Sequence, residues 1–318
     1  MSQTALITGA TGLLGREVLK AFKRAGWLTV GQGFTRAAPP TILKANLEEP
    51  DEIKKLLDEV KDTDWIHADK DKHRPQVVVH CAANRSPDAC EKNPEQAQRI
   101  NVEATRVLTE ETSSRGALLI YISTDYVFPG VEGEAPYEAS APTGPTNRYG
   151  EMKRDGEIAT LEATRDSGLG VVLRVPLLYG PAEKNSESAV NVLLDAVEKA
   201  RDPNAGVKVD DWAQRYPTNT EDVGRVCNDI AVRYIRQKDQ IKSLPKILQF
   251  SSEDRMTKYE ICEKFAQILA VPIPGMIRNQ EGNDPNSPVK RPFNTKLSTK
   301  ELQDLGINIQ TQNFETWW

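Results

Sequence analysis

The sequence predicts an α/β fold with a doubly wound parallel sheet and a smaller C-terminal α/β lobe. In the first half of the chain, short apolar runs alternate with longer amphipathic stretches, as in repeated strand-helix-strand units. The runs are apolar throughout, which is typical of strands covered by helices on both faces. After Arg174 the pattern changes, because prolines at 176, 181, 203 and 217 interrupt the chain. We therefore expect one regular sheet followed by a less regular lobe.

The individual elements follow from this patterning. Strands are predicted over residues 5–7, 28–30, 77–80, 118–122, 171–173 and 247–250. Helices are predicted over residues 16–25, 50–61, 94–114, 149–167, 188–200, 220–237 and 258–269. We place a first domain at residues 1–175 and the lobe with its C-terminal tail at 176–318, and we expect the helix 220–237 to pack back onto the first domain.

The composition is that of an ordinary soluble globular protein of 318 residues, with 38% hydrophobic and 27% charged residues. The 46 acidic residues outnumber the 41 basic ones, giving a net charge of −5, and no basic block suggests a nucleic-acid partner. No uncharged apolar run reaches the ~18 residues of a membrane span. The cysteines, Cys81, Cys90, Cys227 and Cys262, lack CxxC spacing and are typical of free thiols in a reducing cytosol. We expect a cytoplasmic protein that binds no membrane and no metal.

A polar insertion over residues 62–74 separates a predicted helix from a predicted strand, where connections of about 2–6 residues are usual. The insertion contains two histidines and four aspartates. These residue types permit a metal site, and a solvated surface loop explains them more simply.

A glycine-rich turn, Thr8-Gly9-Ala10-Thr11-Gly12-Leu13-Leu14-Gly15, follows the first strand and opens the first helix. Gly9 can make the tight turn, Gly12 lets backbone approach a pyrophosphate, and Gly15 lets the helix pack closely against the strand. The N-terminus of the helix supplies free N–H groups and a positive dipole. In this strand-turn-helix context the spacing predicts a Rossmann-type dinucleotide site.

The stretch after the second strand indicates which nicotinamide cofactor fits. A free ribose 2′-hydroxyl needs a carboxylate about 20 residues beyond the glycine turn. No Asp or Glu lies between Glu17 and Glu48, and Phe34-Thr35-Arg36 stands where that carboxylate would be. An arginine beside a hydroxyl suits a 2′-phosphate, through charge-assisted hydrogen bonds and stacking on adenine. The sequence therefore predicts NADP(H) rather than NAD(H).

Tyr149 and Lys153 lie four residues apart and therefore share one face of a helix. A neighbouring ammonium lowers the pKa of a phenol from about 10 toward working pH, which makes the phenol a usable proton donor. Ser123-Thr124-Asp125 follows the strand 118–122 at the carboxyl edge, where open α/β sheets bind ligands. Asp125 either orients Thr124 or a substrate hydroxyl, or it caps a turn.

These motifs resemble the extended short-chain dehydrogenase/reductase superfamily over nearly the whole chain. The resemblance implies that Thr124 holds a substrate oxygen, that Tyr149 transfers a proton, and that Lys153 lowers the pKa of Tyr149 and holds the nicotinamide ribose. Asn101 resembles the helix residue that completes a proton relay. His80-Cys81-Ala82-Ala83 resembles the end of the strand that passes beneath the cofactor.

Two branches of the superfamily are similar to this sequence. The runs Ile122 to Phe128 and Arg291 to Asn294 resemble dTDP-4-dehydrorhamnose reductases. A closer resemblance, to the regulatory beta subunits of methionine adenosyltransferase, is carried by Thr8 to Gly15, Gly33 to Ala37, His80 to Ala83, Glu187 to Val190, Trp212 to Thr218 and Met256 to Glu260. The run Trp212 to Thr218 weighs most, because it lies in the lobe, outside the shared catalytic core. This resemblance implies a partner, the catalytic subunit of methionine adenosyltransferase.

The beta-subunit resemblance implies cofactor contacts at Thr11, Gly12, Leu13, Leu14, Phe34, Thr35, Arg36, Asn46, Leu47, Cys81, Arg85, Tyr149 and Leu178. To these we add Gly9, Gly15, Ala82, Ala83 and Lys153 from the motifs above. Cys81 is expected to be a small buried hydrophobe rather than a catalytic thiol, because no histidine partner is in view.

Trp212, Gln214, Arg215 and Tyr216 are the candidate substrate or partner residues of the lobe. Arg215 either forms a fork to the phosphate of a nucleotide sugar or pairs with an acid such as Asp211 or Asp222. Trp212 and Tyr216 are otherwise part of the lobe core.

Two functions stay open at this point. One is an NADP-holding subunit that modulates S-adenosylmethionine synthesis, and the other is an NADPH-dependent reductase of a 4-keto nucleotide sugar. Retention of Thr124, Tyr149 and Lys153 favours the enzyme only weakly, because the regulatory family also keeps such residues. The lobe pattern favours the regulator. Trp317-Trp318 would be unusual on a free surface, because exposed aromatic side chains cost solubility and mark interfaces.

Overall fold

The computed structural model describes residues 3–59 and 74–318. Its strands are β1 Thr4–Thr8, β2 Leu28–Gly33, β3 Ile42–Lys44, β4 Val77–His80, β5 Leu118–Thr124, β6 Gly170–Val175, β7 Leu178–Tyr179, β8 Val207–Asp210, β9 Thr218–Asn219, β10 Ile247–Gln249 and β11 Met276–Asn279. Seven of these form one sheet in the order β3-β2-β1-β4-β5-β6-β10, and every neighbouring pair is parallel. The predicted doubly wound α/β fold is therefore confirmed.

The helices flank this sheet and build the lobe. They are α1 Leu13–Arg24, α2 Pro50–Glu59, α3 Pro87–Lys92, α4 Pro94–Gln98, α5 Ala104–Ser114, α6 Arg148–Ala163, α7 Leu193–Lys199, α8 Thr220–Arg236, α9 Lys258–Ile268, α10 Lys300–Asp304 and α11 Phe314–Trp317. A π-helical turn, Arg99–Glu103, joins α4 to α5, and 3-10 turns span Asp125–Val127, Asn185–Glu187 and Lys238–Ser243. The predicted helix 94–114 is thus interrupted, and α1 begins at Leu13 rather than residue 16, directly at the glycine turn.

The continuous apolar character of the strands follows from helices on both faces of the sheet. Side chains of alternate residues point to opposite faces. In β1, Ala5 and Ile7 join one core cluster, which includes side chains of α1 and α8, whereas Leu6 joins the other, which includes side chains of α2 and α5. Each such side chain removed from water contributes about 1.5–3 kcal/mol to the stability of the fold. Alternating polar and apolar residues would therefore destabilise one face of the sheet.

The chain after β6 returns to the sheet twice. β10 pairs in parallel with β6, and α8 packs along α1, so closely that a Cβ on Gly224 would lie 2.8 Å from the carbonyl oxygen of Glu17. The strand order reverses between β1 and β4. Ligands of open α/β sheets bind at such a switch point, beyond the carboxyl ends of the strands.

The lobe has its own core around two short parallel pairs, β7 with β9 and β8 with β11. Trp317 and Trp318 belong to this core, because their rings pack against Tyr179 at centroid distances of 5.2 and 6.1 Å. Both side chains are partly buried. The lobe itself therefore covers part of their aromatic surface.

The insertion, and with it the metal site that its histidines and aspartates permit, lies outside the described residues except for Arg74. Over residues 3–59 and 74–318, no cluster of His, Cys, Asp and Glu has the arrangement to hold a metal ion. No helix in those same ranges has both the length and the apolar character to cross a membrane.

Candidate functional site

A cleft of about 610 Å³ lies at the switch point, between the carboxyl ends of the strands and the lobe. The sequence-predicted residues that line it are Gly9, Thr11, Gly12, Leu13, Leu14, Gly15, Phe34, Thr35, Arg36, Asn46, Leu47, Cys81, Ala82, Ala83, Arg85, Thr124, Tyr149, Lys153, Leu178 and Arg215. Asn101, Trp212, Gln214 and Tyr216 do not line it. We call the part around Gly9 to Gly15 the cofactor end and the part around Arg215 the lobe end.

Backbone geometry shapes the cofactor end. Gly9 has a φ of +62°, and a Cβ on Gly15 would lie 2.1 Å from the carbonyl oxygen of Gly9, so the turn and α1 touch without room for a side chain. Gly12 precedes α1 and offers no side-chain cap to the first N–H groups of the helix. Those N–H groups and the helix dipole suit a pyrophosphate.

Gln32, which the sequence analysis did not single out, holds this turn in place. Its side-chain oxygen accepts a hydrogen bond from the N–H of Gly9 at 3.0 Å, and its side-chain nitrogen donates to the carbonyl of Ala45 at 2.7 Å. Gln32 is buried within β2. A polar residue among the apolar and glycine residues of a strand was the available signal, because a buried amide needs partners that a neighbouring loop can supply.

Phe34, Thr35 and Arg36 follow β2 at the outer edge of the cofactor end. Half of the Phe34 surface is exposed, at 51%, which leaves its ring free to stack on a base. Arg36 forms ion pairs with two acids: its Nη1 atom lies 2.7 Å from a carboxylate oxygen of Glu183 and 2.7 Å from one of Glu187. These two acids raise the pKa of Arg36, with the Glu187 hydrogen bond the largest cause.

Thr124 and Tyr149 meet at the middle of the cleft. Gly150 makes this possible, because a Cβ there would lie 2.3 Å from the carbonyl oxygen of Tyr126, so α6 starts directly against the 3-10 turn after β5. Asn147 caps α6 by accepting a hydrogen bond from the N–H of Gly150 at 3.0 Å. Thr124 and Tyr149 both line this part of the cleft.

Burial is the main influence on the pKa of Tyr149 in this cleft and raises it, whereas Thr124 acts in the opposite direction. The Lys153 ammonium donates to the carbonyl of Ile122 at 2.6 Å and lies 4.0 Å from the ring centroid of Tyr121. Burial also lowers the pKa of Lys153 to about 7, which weakens its charge near neutral pH.

Asp125 contacts Thr124, as one of its two predicted alternatives requires. Its carboxylate accepts hydrogen bonds from the hydroxyls of Thr124 at 3.1 Å and Thr295 at 2.5 Å, which ties the end of β5 to the C-terminal segment. Burial raises the pKa of Asp125, whereas the Thr295 hydrogen bond and the charge of Arg215 oppose that shift. Asp125 thus orients Thr124, and Thr124 itself caps the 3-10 turn by accepting a hydrogen bond from the N–H of Tyr126 at 3.2 Å.

Asn101 lies behind the cleft rather than in it. Its side chain accepts from the N–H of Asn84 at 2.8 Å and donates to the carbonyl of the same residue at 3.0 Å. Thr105 donates to the Asn101 carbonyl at 2.9 Å. These bonds make Asn101 a brace for the loop after β4, which carries the cleft-lining residues Cys81 to Pro87. Cys81 is partly buried, and this burial raises the pKa of its thiol to about 12, which disfavours a reactive thiolate.

The four predicted lobe residues separate. Arg215 lines the cleft, whereas Trp212 and Gln214 line a second cavity of about 450 Å³. Tyr216 is buried and lines neither the cleft nor the second cavity. The guanidinium of Arg215 donates to the carbonyls of Gln214 at 2.9 Å and Pro292 at 3.0 Å.

The alternative of an ion pair between Arg215 and Asp211 or Asp222 is wrong. Within residues 3–59 and 74–318, Arg215 has no salt bridge, because Asp211 lies beside Arg278 and Asp222 beside Arg225, at 3.4 and 3.8 Å.

Lys258 and Arg291 join Arg215 at the lobe end, and the sequence analysis missed both as site residues. Arg291 pairs with Asp88 at 2.8 Å. Lys258, the first residue of α9, forms no hydrogen bond or salt bridge in the described part of the chain, and burial together with the charges of Arg215 and Arg291 lowers its pKa. This cation cluster can receive an anionic group of a ligand.

Comparison with known proteins places the chain in a family. The model of the RmlD substrate binding domain family matches residues 3–316. The methionine adenosyltransferase 2 subunit beta of Mus musculus is 39% identical over 311 residues, which cover 98% of this chain and 84% of the mouse chain.

Two solved structures share the fold at lower identity. A dTDP-4-dehydrorhamnose reductase from Clostridium acetobutylicum superposes with a TM-score of 0.76 at 23% identity, covering 99% of this chain and 96% of that one. The dTDP-4-dehydrorhamnose reductase of Bacillus anthracis, determined in complex with NADP, also has a TM-score of 0.76, at 20% identity, covering 100% of this chain and 96% of that one. The chain therefore belongs to the RmlD substrate binding domain family and, within it, to the branch of the methionine adenosyltransferase 2 beta subunits.

Proposed function

We propose that this protein is an NADP(H)-binding regulatory beta subunit that binds the catalytic subunit of methionine adenosyltransferase and modulates S-adenosylmethionine synthesis. The observation that carries the proposal is the 39% identity to a beta subunit over 98% of the chain, because this range includes the lobe and not only the shared cofactor fold. We expect the complex to form in the cytoplasm, since the cysteines of the described residues are all free.

The cofactor end supports NADP(H) as the ligand. The turn from Gly9 to Gly15 and the uncapped start of α1 would hold the pyrophosphate, Phe34 would stack on the adenine, and Arg36 would bind the 2′-phosphate. The nicotinamide end would lie near Lys153 and Leu178, which line the cleft. A bound NADPH would supply a hydride.

The middle of the cleft supports a holding role for the cofactor. Thr124 directs its own hydroxyl proton to Asp125 at 3.1 Å. This hydroxyl is thus engaged within the protein and would have to turn from Asp125 before it could donate to a substrate oxygen, which favours a holding role.

One observation favours a second candidate, an NADPH-dependent reductase of a 4-keto nucleotide sugar. Arg215, Lys258 and Arg291 bring three cationic side chains to the lobe end, where the diphosphate of such a ligand would need them. In that case Tyr149 would protonate the alkoxide that hydride transfer produces, with Thr124 holding the same oxygen.

Mixing the purified protein with the catalytic adenosyltransferase tests the proposal. We expect co-elution on size exclusion and a change in the kinetics of S-adenosylmethionine synthesis. Tyr149→Phe is the matched variant, because it keeps the ring and removes only the hydroxyl; it should bind and modulate as the wild type does. A failure to form the complex, together with NADPH oxidation on a dTDP-4-keto sugar that Tyr149→Phe abolishes, would establish the reductase instead.

Titration with NADP⁺ and NAD⁺ tests the cofactor assignment separately. Arg36→Ala should weaken NADP⁺ binding by about 10- to 100-fold, because it removes a charge-assisted phosphate contact, and should leave NAD⁺ binding unchanged. Equal affinity of the wild type for the two nucleotides would contradict the assignment.

A further inference from the structure

A segment that we call the strap, residues 181–189, crosses the mouth of the cofactor end. Arg16, on the first turns of α1, donates to the carbonyl of Pro181 at 3.2 Å. Arg85, after β4, donates to the carbonyl of Ser186 at 3.0 Å. The strap is therefore tied to the cofactor fold on both sides of the cleft, and it continues into α7 of the lobe.

Two acids of the strap occupy the arginine that would bind a 2′-phosphate. Glu183 and Glu187 each approach Nη1 of Arg36 to 2.7 Å. The Nη2 and Nε atoms of Arg36 form no hydrogen bond with any described residue, so one edge of the guanidinium stays open to a ligand. An incoming phosphate would share Arg36 with two carboxylates.

The two acids are not equivalent. Glu187 is held by Arg16 at 2.6 Å and by the N–H of Glu183 at 3.2 Å, and its side chain is only 15% exposed. The hydrogen bonds from Arg16 and Arg36 lower its pKa to about 2. Glu183 is 59% exposed and reaches Arg16 only at 3.7 Å. Glu183 is thus the acid that can leave Arg36 without breaking the strap.

A phosphate monoester adds about −1.5 to −2 charges near neutral pH. One guanidinium cannot neutralise that charge and two carboxylates as well, so the phosphate and Glu183 repel each other at Arg36. NAD(H), which lacks the 2′-phosphate, does not meet this repulsion. The acid that pairs with Arg36 therefore acts selectively on the phosphorylated nucleotide.

We propose that Glu183 is a specificity-determining residue: it occupies Arg36 in the free protein and is displaced by the 2′-phosphate of NADP(H), while Glu187 keeps the strap on Arg16. The inference rests on the proposed binding of NADP(H) in this cleft. Through Glu183, the strap makes the preference for NADP over NAD smaller than Arg36 alone would make it.

Isothermal titration of the full-length protein with NADP⁺ and with NAD⁺, at low ionic strength, tests the inference. Glu183→Gln keeps the shape and removes the charge. It should tighten NADP⁺ binding by about 3- to 5-fold, the upper part of the range for an exposed ion pair, and leave NAD⁺ binding unchanged. Glu198→Gln is the matched control, since Glu198 is an exposed acid of α7 that pairs with Arg201 at 2.9 Å outside the cleft, and it should change neither affinity.

A second variant separates competition at Arg36 from a general charge effect. In an Arg36→Ala background, Glu183→Gln should no longer alter NADP⁺ affinity, because the shared partner is gone. Unchanged NADP⁺ affinity in Glu183→Gln, with wild-type binding intact, overturns this inference and leaves the proposed function standing. Tighter binding of both nucleotides also overturns it. Absence of NADP⁺ binding by the wild type overturns the inference and the cofactor assignment together.

Discussion

The two ends of the cleft are built in different ways. At the cofactor end, the shape comes from backbone, with Gly9 and Gly15 in direct contact, and the arginine is already paired with acids. At the lobe end, Arg215, Lys258 and Arg291 come from segments far apart in sequence, and Lys258 has no ion-pair partner in residues 3–59 and 74–318. The first end is organised around a fixed turn, whereas the second is a concentration of charge. Substitutions can therefore separate a steric requirement from an electrostatic one.

The largest effect on cofactor binding should come from Gly15→Val at the cofactor end. A Cβ there would lie 2.1 Å from the carbonyl oxygen of Gly9 and 2.9 Å from Cα of Ala10, so α1 must move away from the turn. We expect NADP⁺ binding to weaken by about 100-fold or more, because the N–H groups of the helix no longer face the pyrophosphate. Overpacking should also lower the free energy of unfolding by about 1–3 kcal/mol. Titration calorimetry and denaturant unfolding measure the two effects.

Gly144→Ala is the control for that experiment. A Cβ at Gly144 would make ordinary contact, 3.6 Å from Cδ of Pro129, so this variant should bind and unfold like the wild type. Normal NADP⁺ affinity in Gly15→Val would show that the close contact of turn and helix is not required.

This end could be predicted from the sequence because its information is local. The turn Thr8 to Gly15, the absence of acids after Glu17 and the pair Tyr149 and Lys153 all lie within short windows. The same windows predicted the parallel sheet correctly, since buried strands are apolar throughout. Local spacing could not tell that the Lys153 ammonium donates to the carbonyl of Ile122.

The lobe end could not be predicted in the same way. Lys258 follows a capping threonine at the start of α9, and Arg291 lies in an irregular tail. Only the tertiary fold brings them to Arg215. Glu183 and Glu187 are likewise about 150 residues from Arg36, at separations of 147 and 151. No window of sequence contains such pairs.

The largest effect on stability should come from a buried ion pair beside Ser123 and Thr124, between the two ends of the cleft. Arg174 in β6 and Glu157 in α6 form a salt bridge of 2.7 Å with side chains only 2% and 4% exposed, and Ser123, next to Thr124, donates to Glu157 at 2.5 Å. Arg174→Met leaves the Glu157 charge buried without its partner and should lower the free energy of unfolding by about 3–5 kcal/mol.

Two further variants test whether the buried charge causes this loss of stability. Arg106→Met breaks an exposed pair with Glu110 and should change stability by no more than about 0.5 kcal/mol. The double variant Arg174→Met with Glu157→Leu should recover most of the loss, because no unpaired charge remains buried. If the double variant is as unstable as Arg174→Met alone, packing and not charge explains the effect.

Lys153→Met should stabilise the protein where the two ends meet. The pKa of Lys153 is about 7 in the fold against an ordinary value of 10.5, so between these values the unfolded chain binds a proton that the folded protein does not. The free energy of unfolding of the wild type should therefore rise as the pH is raised from 7 toward 10.5. Methionine removes the buried charge and should raise stability at pH 7 by about 1–3 kcal/mol.

Denaturant unfolding of wild type and Lys153→Met at pH 7 and pH 10 measures this. The difference between the two proteins should shrink at the higher pH, where the lysine is largely neutral in the folded state. A variant that is less stable at both pH values would mean that the hydrogen bond to Ile122 and the contact with the Tyr121 ring outweigh the cost of burial.

The smallest effect should come from Lys258→Met, at the lobe end. Burial lowers the pKa of Lys258 most, followed by repulsion from Arg215 and Arg291, so its removal relieves the cation cluster. We expect a gain of up to about 1 kcal/mol, or about 2–4 °C in Tm. NADP⁺ affinity should stay within about 2-fold of the wild type, in contrast to Gly15→Val.

Lys264→Met is the control on the same helix as Lys258. It breaks an exposed pair with Glu315 and should be neutral or slightly destabilising. A loss of stability in Lys258→Met would show that the lobe end, like the cofactor end, depends on the residues that line it, whereas a gain means that this charge is retained for an anion that binds there.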